Sequence, residues 1–223
     1  PAQLELFADD LRVLYWYHGR VPPKPPSGNV VSSALWMLSG STLLSMALVI
    51  PPSPLPNTRY ARVPASDLDA AYAIEAAGYP ADEAATREKL DFRLKHAGDY
   101  FWGAYSEHGA LLGFVCGTLT KAETLTEESM SEHDADGATL CIHSVVTLTA
   151  LRRKGLGQWM VRAYRASVAA LPTPPRRVVL MCKEPLVQFY SRAGFELIGP
   201  SGVVHGQDPW LLMSADDASR WID

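Results

Sequence analysis

Hydrophobic patterning divides the chain near residue 57. From Arg59 onward, apolar and polar positions recur with the periods of helices and strands. Ser66 or Asp67 caps a predicted helix over 67–77, with Leu68, Ala71, Tyr72 and Ile74 on one face and Gly78 as its stop. A second helix is predicted over 83–97, begun by Asp82 and ended by Gly98. Residues 100–120 alternate apolar and small positions on either side of "SEHGA", a β-hairpin with Gly109 in its turn. A polar, acidic loop follows over 125–137. The last third then reads strand 138–148, helix 155–171, strand 176–182, helix 184–193 and short strands 195–199 and 209–215. Strands alternating with helices after a hairpin predict an α+β fold, with helices flanking a mixed sheet.

The first 56 residues follow another pattern. Between "VPPKPPSG" (21–28) and "PPSPLP" (51–56), residues 30–50 carry no charge. Roughly 20 apolar residues suffice to span a bilayer, although five serines, Thr42 and Gly40 dilute this run. Three readings stand: a membrane anchor, a helix packed on the following domain, or sequence foreign to the mature protein. The prolines make a stiff linker on each reading, giving an extension over 1–56 and a domain over 57–223. The first residue is Pro1, which suggests a trimmed N-terminus.

Composition narrows the function. A net charge of −4 argues against nucleic-acid binding and leaves any basic patch to a small anion. Cys116, Cys141 and Cys182 are odd in number and form no C-x-x-C pair, so neither a disulfide framework nor a metal site is expected. A cytoplasmic monomer fits, with membrane contact through 30–50 as the open question.

The basic cluster lies at Arg152-Arg153-Lys154-Gly155-Leu156-Gly157, between a strand and a helix. Free N–H groups and the positive end of a helix dipole meet there, and two glycines let backbone approach an anion. Neither G-x-x-x-x-G-K-[ST] nor G-x-G-x-x-G is present. The pattern R-x-x-G-x-G resembles the pyrophosphate signature of the GNAT acetyl-CoA-dependent N-acetyltransferases. "LMCKEPLVQFYSRAGFELIGPS", "TLTEESM" and "CIHSVV" are similar to the arylalkylamine (serotonin) branch and its fungal relatives. The likeness covers roughly residues 59–215.

The resemblance implies the GNAT fold, a mixed, mostly antiparallel twisted sheet, and acetyl transfer from acetyl-CoA to a small amine. It assigns coenzyme A to Val145, Val146 and Thr147 and to the turn at 152–157. Tyr190 becomes the general acid at the sulfur, and a β-bulge over Val145–Thr147 offers a main-chain N–H to the oxyanion. Alkylamines arrive protonated, with a pKa near 10 like that of lysine, so a base is required. His143 is the candidate. The vertebrate enzymes carry two histidines in this strand, and the first position here is Cys141, which puts a two-histidine relay in doubt. Around the amine, the resemblance places Tyr79, Pro80, His205, Asp208 and Trp210. An aromatic amine would stack on Trp210, whereas a polyamine would be drawn by Asp208 and by Glu127, Glu128, Glu132, Asp134 and Asp136. A non-catalytic acyl-CoA-binding protein and a membrane-anchored regulatory protein are the readings of a different class.

Overall fold

The computed structural model describes residues 50–203 and 209–216. His205, Asp208 and residues 30–49 lie outside the described residues, so the expectations placed on them stay as expectations. Seven strands form one sheet in the order β1-β2-β3-β4-β5-β7-β6. They are β1 (Arg59–Arg62), β2 (Phe101–Tyr105), β3 (Leu111–Thr120), β4 (Thr139–Thr147), β5 (Arg177–Cys182), β6 (Glu196–Pro200) and β7 (Leu211–Asp216). Every neighbouring pair is antiparallel except β4 and β5. A parallel pair needs a crossover, which α3 (Leu156–Ala169) supplies.

Helices cover both faces, so β2 is buried on both. Its Phe101 and Tyr105 join a core with Leu68, Ala71 and Ile74 of α1 (Leu68–Gly78) and Leu90 and Leu94 of α2 (Arg87–His96). Trp102 and Ala104, one residue out of phase, join the opposite core with Trp159, Met160 and Tyr164 of α3. Tyr190 of the short α4 (Val187–Ser191) and Phe195 complete that side. Ile50 and Leu55 pack there too, and the Trp159 indole N–H donates to the Pro51 carbonyl at 2.6 Å.

Three local expectations need correction. On α1, Tyr72 points outward at 39% exposure, while Glu75 is buried at 2%. The inward stripe therefore runs 68, 71, 75 with Ile74 beside it, a 3.6-residue period that carries a carboxylate into the interior. Secondly, α2 begins at Arg87 rather than residue 83, because Thr86 caps it by accepting from the Lys89 N–H (3.3 Å) and the Ala85 N–H is taken by Glu75 (3.0 Å). The expected helix over 184–193 likewise splits into a 3₁₀ turn at Glu184–Leu186 and α4.

The bulge in β4 sits earlier than expected. Cys116 pairs with Ser144 and Gly117 with Ile142, which leaves His143 as the extra residue. Gly117 permits this approach, because a Cβ there would stand 2.5 Å from the Cys141 carbonyl oxygen. That neighbour is backbone and cannot rotate away. Gly117→Ala is expected to destabilise the fold by about 1–3 kcal/mol through overpacking, seen as a lower midpoint in urea unfolding.

Candidate active site

Strands β4 and β5 pair only over Thr139–Ile142 and Arg177–Leu180, although β4 continues to Thr147. Past Ile142 the two strands no longer share a ladder, and a cavity of about 300 Å³ occupies the gap. His143, Ser144 and Val145 line it from β4, Leu180 and Cys182 from β5, and Tyr190 from α4. Glu75, Tyr79, Pro80 and Trp210 complete the wall. Of the sequence-predicted residues, His143, Tyr190, Val145, Tyr79, Pro80 and Trp210 are thus brought together. Val146 is not among them, because it packs in the core beneath α1.

The hydrogen bonds around His143 fix its tautomer. The Thr118 hydroxyl donates to the Ser129 carbonyl (2.8 Å) and lies 2.7 Å from His143 Nε2. With its one proton committed, Thr118 accepts from Nε2–H, which leaves Nδ1 as a bare lone pair. Nδ1 is closed to solvent and has no partner. Burial, then the Arg93 and Lys89 cations, hold the imidazole well below its usual pKa, so it stays neutral. Cys141 is buried against Leu125, Val179 and Val203, and burial pushes its thiol up to about 11. It offers no second relay group at neutral pH.

Val145 lies two residues past the bulged His143, and its outward polar groups meet a phenol. Its N–H donates to the Tyr79 hydroxyl at 3.1 Å, and that hydroxyl donates to the Val145 carbonyl at 3.2 Å. One side chain therefore satisfies both groups that an added strand-like ligand would pair with. Tyr190 is buried, with Phe189 and Phe195 edge-on to its ring. Burial above all holds its phenol well above 10, so it keeps its proton. The Lys183 ammonium stands 5.4 Å from the Trp210 ring and also pairs with Glu83.

The basic turn forms as expected, with Gly155 as N-cap of α3 at φ 82°. Such a positive φ suits glycine, and with no side-chain cap the first N–H groups of α3 have no capping partner. Arg153 and Lys154 are exposed. Arg152 is committed elsewhere, donating to the Gly78 carbonyl at 2.7 Å, where it ties the turn to the end of α1. In the acidic loop, Leu125 and Met130 face the cavity while Glu127, Glu128, Glu132 and Asp136 are exposed. Asp134 pairs with Lys121 at 2.8 Å.

Sequence reasoning missed Glu75. Its Oε1 accepts from the Ala85 N–H (3.0 Å) and the Ser144 hydroxyl (2.9 Å), whereas Oε2 is buried without a partner. Desolvation raises its pKa despite these bonds and Arg93. The helical period of α1 was the available signal.

Neutral His143 sets a pH dependence. The unfolded chain takes up a proton on this residue near pH 6.5 and the folded chain does not, so stability falls as pH drops below about 6.5. His143→Gln is expected to flatten that slope in thermal unfolding measured from about pH 8 to 5. His133 is also depressed by burial, so the difference between the two curves isolates His143.

Comparison with known proteins places this arrangement. The profile of the Acetyltransferase (GNAT) family matches residues 68–195. Serotonin N-acetyltransferase of Mesocricetus auratus is 36% identical over 100 residues, 45% of this chain and 48% of that enzyme. The match thus spans about half the length of the curated relative. The loading GNATL domain of CurA from Lyngbya majuscula superposes with a TM-score of 0.65 at 15% identity, covering 73% of this chain and 98% of that one. A spermidine N-acetyltransferase chimera from Vibrio cholerae and hSSAT gives 0.54 at 12%, covering 75% and 99%. At such identities these two structures speak for the fold alone. The profile covers more than half of the chain and takes in α1, the bulge at His143, the turn at Gly155 and Tyr190, and on that ground the chain belongs to the acetyltransferase (GNAT) family.

Proposed function

We propose that the protein transfers the acetyl group of acetyl-CoA to the primary amine of an arylalkylamine, by direct attack with both substrates bound. The observation that carries this is the gap beyond Ile142, where an unpaired strand edge, a neutral imidazole and a protonated phenol line one cavity. The residues fit coenzyme A. A pantetheine amide N–H would take the Val145 carbonyl that Tyr79 now holds, with Thr147 further along the edge. The pyrophosphate would lie on the α3 N-terminus at Gly155, Leu156 and Gly157, with Arg153 and Lys154 supplying charge. His143 Nδ1 accepts a hydrogen bond from the attacking nitrogen and aligns its lone pair with the thioester carbonyl. The Val145 N–H, released from Tyr79, is placed to stabilise the oxyanion. Tyr190 gives its proton to the departing sulfur.

The amine class follows from the lining. Leu125, Met130, Ile142, Leu180, Met181 and Trp210 present apolar and aromatic surface. Lys89, Arg93 and Lys183 outnumber the carboxylates of Glu75 and Glu83 in the lining, a balance that opposes a polycation. The exposed acidic loop points its charges outward. A monoamine with an aromatic body therefore suits the cavity better than spermidine or putrescine. Membrane attachment through 30–50 would add a location without changing this chemistry.

Three measurements test the reading on the full chain. Thiol release from acetyl-CoA should be faster with tryptamine or phenylethylamine than with spermidine or putrescine, and the reverse order would transfer the assignment to polyamines. Tyr190→Phe is expected to lower kcat about 10²–10⁴-fold with little change in the KM for acetyl-CoA, and near-wild-type turnover would remove Tyr190 from the mechanism. Tyr79→Phe gives up its bonds to Val145 and is expected to tighten coenzyme A about 2–10-fold in calorimetry, the equivalent of one net hydrogen bond.

A further inference from the structure

Glu75 has no part in the expectations from sequence, yet it has the attributes of a reacting group. It lies on α1, is 2% exposed, and lines the same cavity as His143 and Tyr190. Two fixed donors, the Ala85 N–H and the Ser144 hydroxyl, hold one carboxylate oxygen in place. The other oxygen has no hydrogen-bond partner and no contact with solvent. A buried carboxylate oxygen left unpaired carries an uncompensated desolvation penalty, which is recovered when a donor arrives. An ammonium is such a donor.

We propose that Glu75 is the catalytic base, taking the first proton of the protonated amine onto Oε2. This deepens the amine-acetylation reading and rests on it. His143 is the weaker acceptor, because charging it would place an imidazolium in a dry site already facing Arg93 and Lys89. Protonating Glu75 does the opposite and removes a buried charge. In a desolvated site an ammonium beside a carboxylate favours the neutral pair, amine and carboxylic acid, over two bare ions.

The protons balance. One N–H bond of the ammonium breaks and its proton forms an O–H bond on Glu75. The freed nitrogen lone pair attacks the thioester carbon, and as the adduct collapses the C–S bond breaks and sulfur takes the proton of Tyr190. The N-protonated amide so formed then gives its second N–H proton to the Tyr190 phenolate, which restores Tyr190. Glu75 returns its proton to solvent, so each turnover of an ammonium yields amide, free thiol and one proton.

Glu75→Gln keeps an acceptor for Ala85 and Ser144 and changes only the orphan atom. With the ordinary amine that wild type uses best, kcat/KM is expected to fall about 100-fold at neutral pH, with coenzyme A affinity unchanged. With a β,β-difluorinated analogue of that amine, compared with it at about pH 8 where the analogue is largely neutral and the parent is not, the loss should largely disappear. Equal losses for both amines mark Glu75 as structural and overturn the proposal, as does no loss for either.

If Glu75→Gln fails to bind coenzyme A, Ser144→Ala decides. It keeps the carboxylate but removes a donor that favours the ionised form. The acid limb of the pH–rate profile should then move to higher pH, and an unmoved limb overturns the assignment. The charged and titratable groups around Glu75 are Arg93 and Lys89 of α2, Cys116 of β3, His143 of β4, and Tyr79 and Glu83 after α1. All are unchanged in that variant. Wild type that turns over no amine defeats the amine-acetylation reading itself, whereas active wild type with an unaffected Glu75→Gln defeats only the role of Glu75.

Discussion

The parallel ladder between β4 and β5 stops at Ile142, and the site depends on where it stops. Four paired residues suffice to hold the two strands together, and the α3 crossover covers one face of them. One residue later the bulge at His143 turns β4 out of register with β3. The two irregularities act together. The bulge re-aims His143, and the end of the ladder gives it somewhere to point. A β4 regular to its end and paired along its whole length would fill the cavity with backbone hydrogen bonds, leaving no edge for a ligand to pair with.

Burial then sets the electrostatics of what lines the gap. Desolvation acts in opposite senses on an imidazole and a carboxyl, lowering the pKa of His143 and raising that of Glu75, so in both residues it disfavours the charged form. Nearby Arg93 pulls both toward lower pKa, adding to the effect on His143 and partly offsetting it on Glu75. The arrangement resembles a dry chamber with acceptors on one wall and a protonated phenol on another. Arg93 is itself held, donating to Cys116 Sγ and the Met130 carbonyl, so the chamber's charge is fixed by the fold.

Much of this was legible in the sequence, for identifiable reasons. The R-x-x-G-x-G turn has its own backbone requirement at Gly155, so it is readable without tertiary information. Strand and helix periods in the last third gave the crossover, and the motif around Tyr190 located the phenol. The bulge was placed two residues late because its position depends on Gly117 of another strand meeting the Cys141 carbonyl. Glu75 was passed over because an acidic residue on a surface helix ordinarily faces water. Only the 68, 71, 75 stripe indicated otherwise, and Tyr72 competed for the same face. Arg152 looked like an anion ligand, and what holds it at the Gly78 carbonyl is a helix end distant in sequence.

The proline-rich run reads as a spacer, yet its residues pack on the α3-side core. The Trp159 indole finds its acceptor at Pro51, and Ile50 and Leu55 sit against the α3 core. Pro54 lies over Gly155, with its ring carbons 3.5 Å from where a Cβ at that position would stand. Packing onto the α3 side of the sheet therefore begins upstream of the compositional break at Asn57. A chain trimmed at that break would leave a tryptophan N–H without its carbonyl and strip the apolar cover from the flank of the basic turn, so the excised domain would differ from the native one beside the N-terminus of α3.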